Sequence, residues 1–121
     1  MKELLNIACV CLDGVENCVD SYSFRLRIEQ IVLALLRALL YSKNKQPTQT
    51  SSVKVLLTQV HRQHIKTPKT TDTLVRAIQK PPKELSDLER EFMLSAATEL
   101  YEFCLLHTHR TITLVNLKET Q

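Results

Sequence analysis

Apolar side chains recur along this chain at helical spacing, in stretches separated by polar or proline-bearing breaks. The first predicted helix covers about 3–19 and is weakened near its end by Gly14. Asp20 or Ser21 can cap a second helix over about 22–42, because a short side-chain oxygen satisfies the orphan N–H groups at a helix start. In that helix Phe24, Ile28, Ile31, Leu35 and Leu39 form one stripe, and Leu33, Leu36 and Leu40 add another. Only Gln30 and Arg37 are left on a narrow polar edge. A helix apolar on two sides lies in the middle of a bundle or is shared with a partner.

Residues 42–52 (SKNKQPTQTSS) are polar and aperiodic, which predicts a loop inside the domain, free to move. A third helix over about 52–66 puts Val53, Leu56, Leu57, Val60 and His64 inward and Lys54, Arg62 and Lys66 outward. Pro68 breaks it; Asp72 can cap a fourth helix over about 72–79, stopped by Pro81 and Pro82. Ser86 and Glu89 fit a capping box at the head of a fifth helix running to about His109. Its predicted inner face is Leu85, Phe92, Ala96, Leu100, Phe103 and His107, widened by Ala97, Tyr101 and Leu105, with Glu91, Glu99 and Glu102 outside. The tail, 111–121, alternates weakly and fits a short strand or a helical turn equally.

The expected fold class is therefore all-α: a compact single-domain bundle of about five helices over residues 1–121. Composition agrees, since 121 residues that are 44% hydrophobic can bury a core, and a single glycine leaves little for hairpin turns. Charge changes the picture more. The net charge is only +3, but residues 43–83 hold Lys43, Lys45, Lys54, Arg62, Lys66, Lys69, Arg76, Lys80 and Lys83 against the single acid Asp72, leaving +8. Residues 1–42 carry −1 and residues 84–121 carry −4. Such asymmetry predicts a one-sided surface for a polyanion.

Catalytic chemistry finds little support, and none of these residues is predicted to be catalytic. One glycine rules out the phosphate-cradling loops of nucleotide enzymes. Cys104 and His107 share a helical face, but no third group orients the imidazole as nucleophilic catalysis needs. His61-x2-His64 and Cys104-x2-His107 would make a zinc site only if all four converged; the simpler expectation is no metal and no cofactor. Glutamates such as Glu89 with Glu91 and Glu99 with Glu102 read as solvation of a wet helix face. Cys9, Cys11, Cys18 and Cys104 form no disulfide framework and are expected to be reduced, in the cytoplasm. The longest apolar run, Ile31–Tyr41, is too short for a bilayer, and Glu3 with no small-residue cleavage site argues against a secretory signal. The early onset of core-like residues suits a protomer of an assembly or a piece of a longer protein.

Phosphate contacts from Lys and Arg give affinity without sequence preference. Residues 43–83 contain no Phe, Tyr or Trp on which unstacked bases could rest. They also lack a clear helix-turn-helix with a polar recognition helix. The expectation is a backbone binder, single- or double-stranded, indifferent to sequence. In length, helical make-up, outward cations and the two-sided apolar helix from Phe24 to Tyr41, the whole chain resembles the CRISPR effector-complex small subunits. That resemblance, which carries no signature motif, implies a non-catalytic subunit. It implies several copies lining a guide-RNA assembly beside other subunits and touching target or displaced DNA by its backbone. His109-Arg110-Thr111-Ile112-Thr113 is in turn similar to the loop before the last histone-fold helix, although the chain ends too soon for that helix to be complete. The alternative to a nucleic-acid role is a protein-interaction or oligomerisation adaptor resting on the apolar second helix.

Overall fold

The computed structural model describes residues 2–119 except 16, 19 and 82, with side chains described as far as Thr108. It holds five helices: α1 (Lys2–Val15), α2 (Ser21–Ser42), α3 (Val53–Arg62), α4 (Lys69–Gln79) and α5 (Asp87–Glu119). No strand occurs among the described residues, so the all-α expectation stands.

The hydrophobic pattern of α2 decides the architecture. Eleven of its side chains are buried, and from Ile31 to Leu40 only Arg37 is not. A helix that apolar must be covered on every side, and α2 contacts each of the other four helices. The ambiguity left by the pattern is thereby resolved: both stripes are covered within the chain. α1 packs on α2 and α5, burying Leu5, Ala8, Cys11 and Val15. α5 runs parallel to α2, as three contacts at successive heights show. Arg90 donates to the Cys18 carbonyl and the Ser21 hydroxyl (both 3.2 Å), and the Cys104 thiol points at the Leu35 carbonyl (3.7 Å). His107 Nε2 lies 3.0 Å from Ser42 Oγ at the far end. Arg90 also stacks its guanidinium over the Phe24 ring, 5.3 Å from its centroid, a cation–π contact that fastens the two helix starts. Parallel neighbours need a crossover, and α3 and α4 in series supply it. They lead from the Arg37 level, where Arg37 donates to the Thr50 carbonyl at 2.9 Å, back to the Arg25 level. There Arg25 donates to the Lys80 carbonyl at 2.8 Å.

Helix ends follow local chemistry. Asp20 caps α2, accepting from the Ser23 N–H at 2.9 Å; that bond is the main reason its carboxyl sits below the ordinary range. α2 stops in a Schellman arrangement. Asn44 takes a left-handed φ of 56°, Lys45 N–H reaches Leu40 O, and Asn44 N–H reaches Tyr41 O. Ser86 and Glu89 exchange the reciprocal bonds of a capping box, both at 3.2 Å, as the spacing predicts.

Several expectations need correction. α1 ends at Val15, not near 19, because Asn17 and Cys18 turn back with short bonds to Gly14 and Val15 carbonyls. α3 ends at Arg62, not 66, where His64 adopts a φ of 60°. α4 begins at Lys69, so Asp72 lies inside its first turn and caps nothing; the N-cap is Pro68. The buried face of α5 is Met93, Ala96, Ala97, Leu100 and Cys104, rotated from the predicted one, which leaves Phe92 exposed. The helix also continues to Glu119, so residues 109–113 are helical backbone and not a loop, and 111–119 are neither strand nor a single turn. The loop after α2 is tied down. Gln59 accepts from the Thr48 N–H and hydroxyl and donates to the Gln46 carbonyl, each at 3.0 Å, while Pro47 is buried.

Candidate nucleic-acid interface

All nine cations predicted to meet a polyanion are exposed. They follow the crossover, because the basic segment of the sequence is the segment that folds into it. Lys43 and Lys45 stand past the end of α2 and Lys54 at the start of α3. Arg62, Lys66 and Lys69 surround the α3–α4 turn; Arg76, Lys80 and Lys83 lie along and beyond α4.

The predicted stripe on α3 is only partly formed, since Lys66 falls outside the helix. A tighter stripe forms on α4. At 100° per residue Lys69 and Arg76 lie within about 20° of each other, and with a rise of 1.5 Å they stand about 10 Å apart; Lys80 follows as the C-cap, where the backbone is already extended. Thr71, Leu74, Val75 and Ile78 fill the opposite side and are buried, which fixes the cations outward. The starting residue Lys69 belongs to the helix because the break at Pro68 sets its first turn, a shift of three residues from the predicted start.

Beyond this row the fold builds a groove of about 480 Å³ between the end of α4, the linker 80–86 and the start of α5. Its apolar lining includes Leu85, Leu88, Phe92 and Met93. Its cations are Arg76, Lys80 and Lys83 from the predicted set and Arg25 from α2. Leu88 is 77% exposed and Phe92 37%, so the two leave an apolar pair open to solvent at the groove. A shallower pocket beside it shares Arg25 and Lys83 and adds Tyr22. Sequence reasoning missed Arg25, Tyr22 and Phe92 because they lie outside the basic segment, in stretches whose net charge is negative. No spacing signal sets Phe92 apart, because Leu88, Phe92, Ala96 and Leu100 continue one i, i+4 series.

Carboxylates neutralise little of this surface. Among the described residues the one ion pair is Lys83–Glu89, 3.3 Å, between side chains open to solvent and of small energetic weight. Glu89 is held below the ordinary carboxylate range chiefly by the Ser86 N–H and next by Lys83. Glu99 accepts from the Thr70 hydroxyl at 3.0 Å, and Asp72 lines a pocket at the α3–α4 turn with His61, His64, Lys66 and Lys69. Lys43, Lys45 and Lys54 line neither the groove nor this pocket.

The histidines and cysteines are dispersed. His64 is exposed in its left-handed turn rather than packed in the α3 stripe, and His61 Nε2 lies 3.1 Å from Thr67 Oγ1. Cys104 and His107 face α2 instead. The four do not converge, and no cluster of three metal-ligating side chains exists among the described residues. Burial pushes the Cys104 thiol up to about 12, so it holds its proton at neutral pH and is a poor nucleophile. All four cysteines are free. Among the described residues no helix is long and apolar enough to cross a membrane.

Comparison with protein-family models, with curated proteins and with solved structures finds no match.

Proposed function

We propose that this chain is a non-catalytic helical subunit that binds the sugar-phosphate backbone of nucleic acid, with the outer face of α4 as the principal contact. The observation that carries the reading is the row Lys69, Arg76 and Lys80, the first two exposed on one face of α4 and the third exposed at its C-cap, lacking any carboxylate within ion-pair distance among the described residues. Mobile cations on a rigid helix release counterions on meeting phosphate, and the helix itself contributes register without base readout. Arg25 and Lys83 extend the row at the α4 end, and Arg62 and Lys66 at its beginning. Lys43, Lys45 and Lys54 contribute longer-range attraction.

An adaptor built on the apolar α2 is the weaker reading, because that helix is covered by its own chain. Assembly with other subunits or further copies would use other surfaces. A place in a CRISPR-type ribonucleoprotein is the specific form of the proposal that the resemblance suggests.

A binding titration on fluorescent oligonucleotides at low salt tests it. Replacing Lys69, Arg76 and Lys80 together by Gln should lower affinity at least about tenfold. It should also flatten the slope of log K against log salt by about 2 on a single strand, at about 0.7 per phosphate contact. The same replacement at Lys43, Lys45 and Lys54 should do much less. An unaltered chain that binds neither single strand nor duplex at low salt refutes the proposal.

A further inference from the structure

A backbone binder needs only cations, yet the cationic row of α4 ends at an apolar groove. Arg76 and Lys80 belong to both. Across the groove Leu88 and Phe92, one turn apart on α5, turn outward from the buried side of that helix. Residues 43–83 hold no ring; the fold lines one groove with Phe92, Arg76 and Lys80, and brings Lys83 to the neighbouring pocket that Tyr22 and Arg25 share on α2.

From this juxtaposition we infer that the groove is a base-binding subsite, so the preferred ligand is a single strand whose unstacked base rests on Phe92 and Leu88 while flanking phosphates meet Arg76 and Lys80. The inference rests on the backbone-binding reading and adds the class of strand. Three features favour this occupant. The groove is continuous with the row of phosphate contacts, so a strand following α4 passes over it. Its floor is apolar and offers an aromatic ring, the surface on which a base of any identity packs. Its rim carries Arg25, Arg76, Lys80 and Lys83 on the α2, α4 and linker sides against one acid, Glu89, which pairs with Lys83, so a net positive rim remains for a ligand carrying one negative charge per nucleotide. Paired bases in a duplex present no free face to such a floor, so a duplex would keep the backbone contacts and lose this one.

Affinity of the whole chain for three fluorescent probes of equal length decides the matter: a mixed-sequence single strand, the corresponding duplex, and a sugar-phosphate strand without bases. The base-bearing single strand should bind about 5- to 150-fold more tightly than the abasic one, the range expected for one stacked base. Phe92→Ala should erase that ratio while leaving abasic-strand affinity unchanged, and Phe92→Tyr should preserve it. Because Phe92 is partly exposed, both variants should fold, which circular dichroism checks. Equal affinity for base-bearing and abasic strands, or tighter binding of the duplex, overturns the inference and leaves the backbone reading standing. A chain that binds none of the three, and instead takes up an acidic leucine-rich peptide, overturns both.

Discussion

Replacing Thr71 by Val should stabilise the protein, although it removes a polar group from the helix that carries the cationic row. Thr71 lies in the first turn of α4 with no solvent exposure, and its hydroxyl oxygen has no hydrogen-bond partner. Its neighbours on that face, Leu74, Val75 and Ile78, are apolar and buried. Valine keeps the branched shape, fills the same volume and has nearly the same helix propensity. The difference is thus the desolvated hydroxyl, whose unmatched burial costs about 1–3 kcal/mol. A gain of about 1 kcal/mol would raise Tm by roughly 4 °C for a domain of this size. Urea unfolding followed by far-ultraviolet circular dichroism measures it: the midpoint should rise while the slope with denaturant stays fixed. Thr71→Ala provides the contrast, because it removes the same hydroxyl but also a packed methyl, and should fall below the valine variant by about 1 kcal/mol. A valine variant less stable than the parent would refute the reasoning, since it would mean that the hydroxyl has a native partner.

Two further outcomes follow from buried or bridging groups. Cys104 keeps its proton in the folded chain to about pH 12 against an ordinary 9.0, so the unfolded chain ionises first. Its contribution should be constant below about pH 9 and lost as pH climbs from there toward 12, and Cys104→Ala should lose less stability over that window in urea melts at stepped pH. Gln59→Leu should cost about 1–2 kcal/mol and speed amide exchange across residues 46–50, because one amide group holds three bonds of that loop; unchanged exchange would show that Pro47 and Arg37 suffice to hold it.

Much of the fold was legible because its determinants are local. The period of apolar residues located all five helices, and two end signals, Asp20 and the Ser86–Glu89 pair, act where the spacing put them. The misjudged ends are those set by backbone conformation: the left-handed turn at His64 shortens α3, and the Pro68 break lets α4 start at Lys69. The rotated face of α5 has a similar origin. Phe92 and Met93 are equally apolar, and a pattern alone cannot say which of two adjacent residues meets the neighbouring helix. Arg37 reads as the polar edge of α2, yet it and Gln59 each satisfy a loop carbonyl that would otherwise be left without a protein partner.

The sequence by itself determined that the chain is helical, that α2 is apolar on two sides and that residues 43–83 are basic, since each property belongs to a contiguous run of residues. Only tertiary structure decided which cations share a face and which apolar side chains stay uncovered. Both depend on how helices distant in sequence rotate and align against each other. Arg25 meets Lys80 and Lys83 at the bundle end, and Phe92 lines the groove with Arg76, because α2 and α5 run parallel and α4 returns between their starts. Parallel packing is a choice among alternatives that all bury the same apolar stripes, so side-chain periodicity is blind to it.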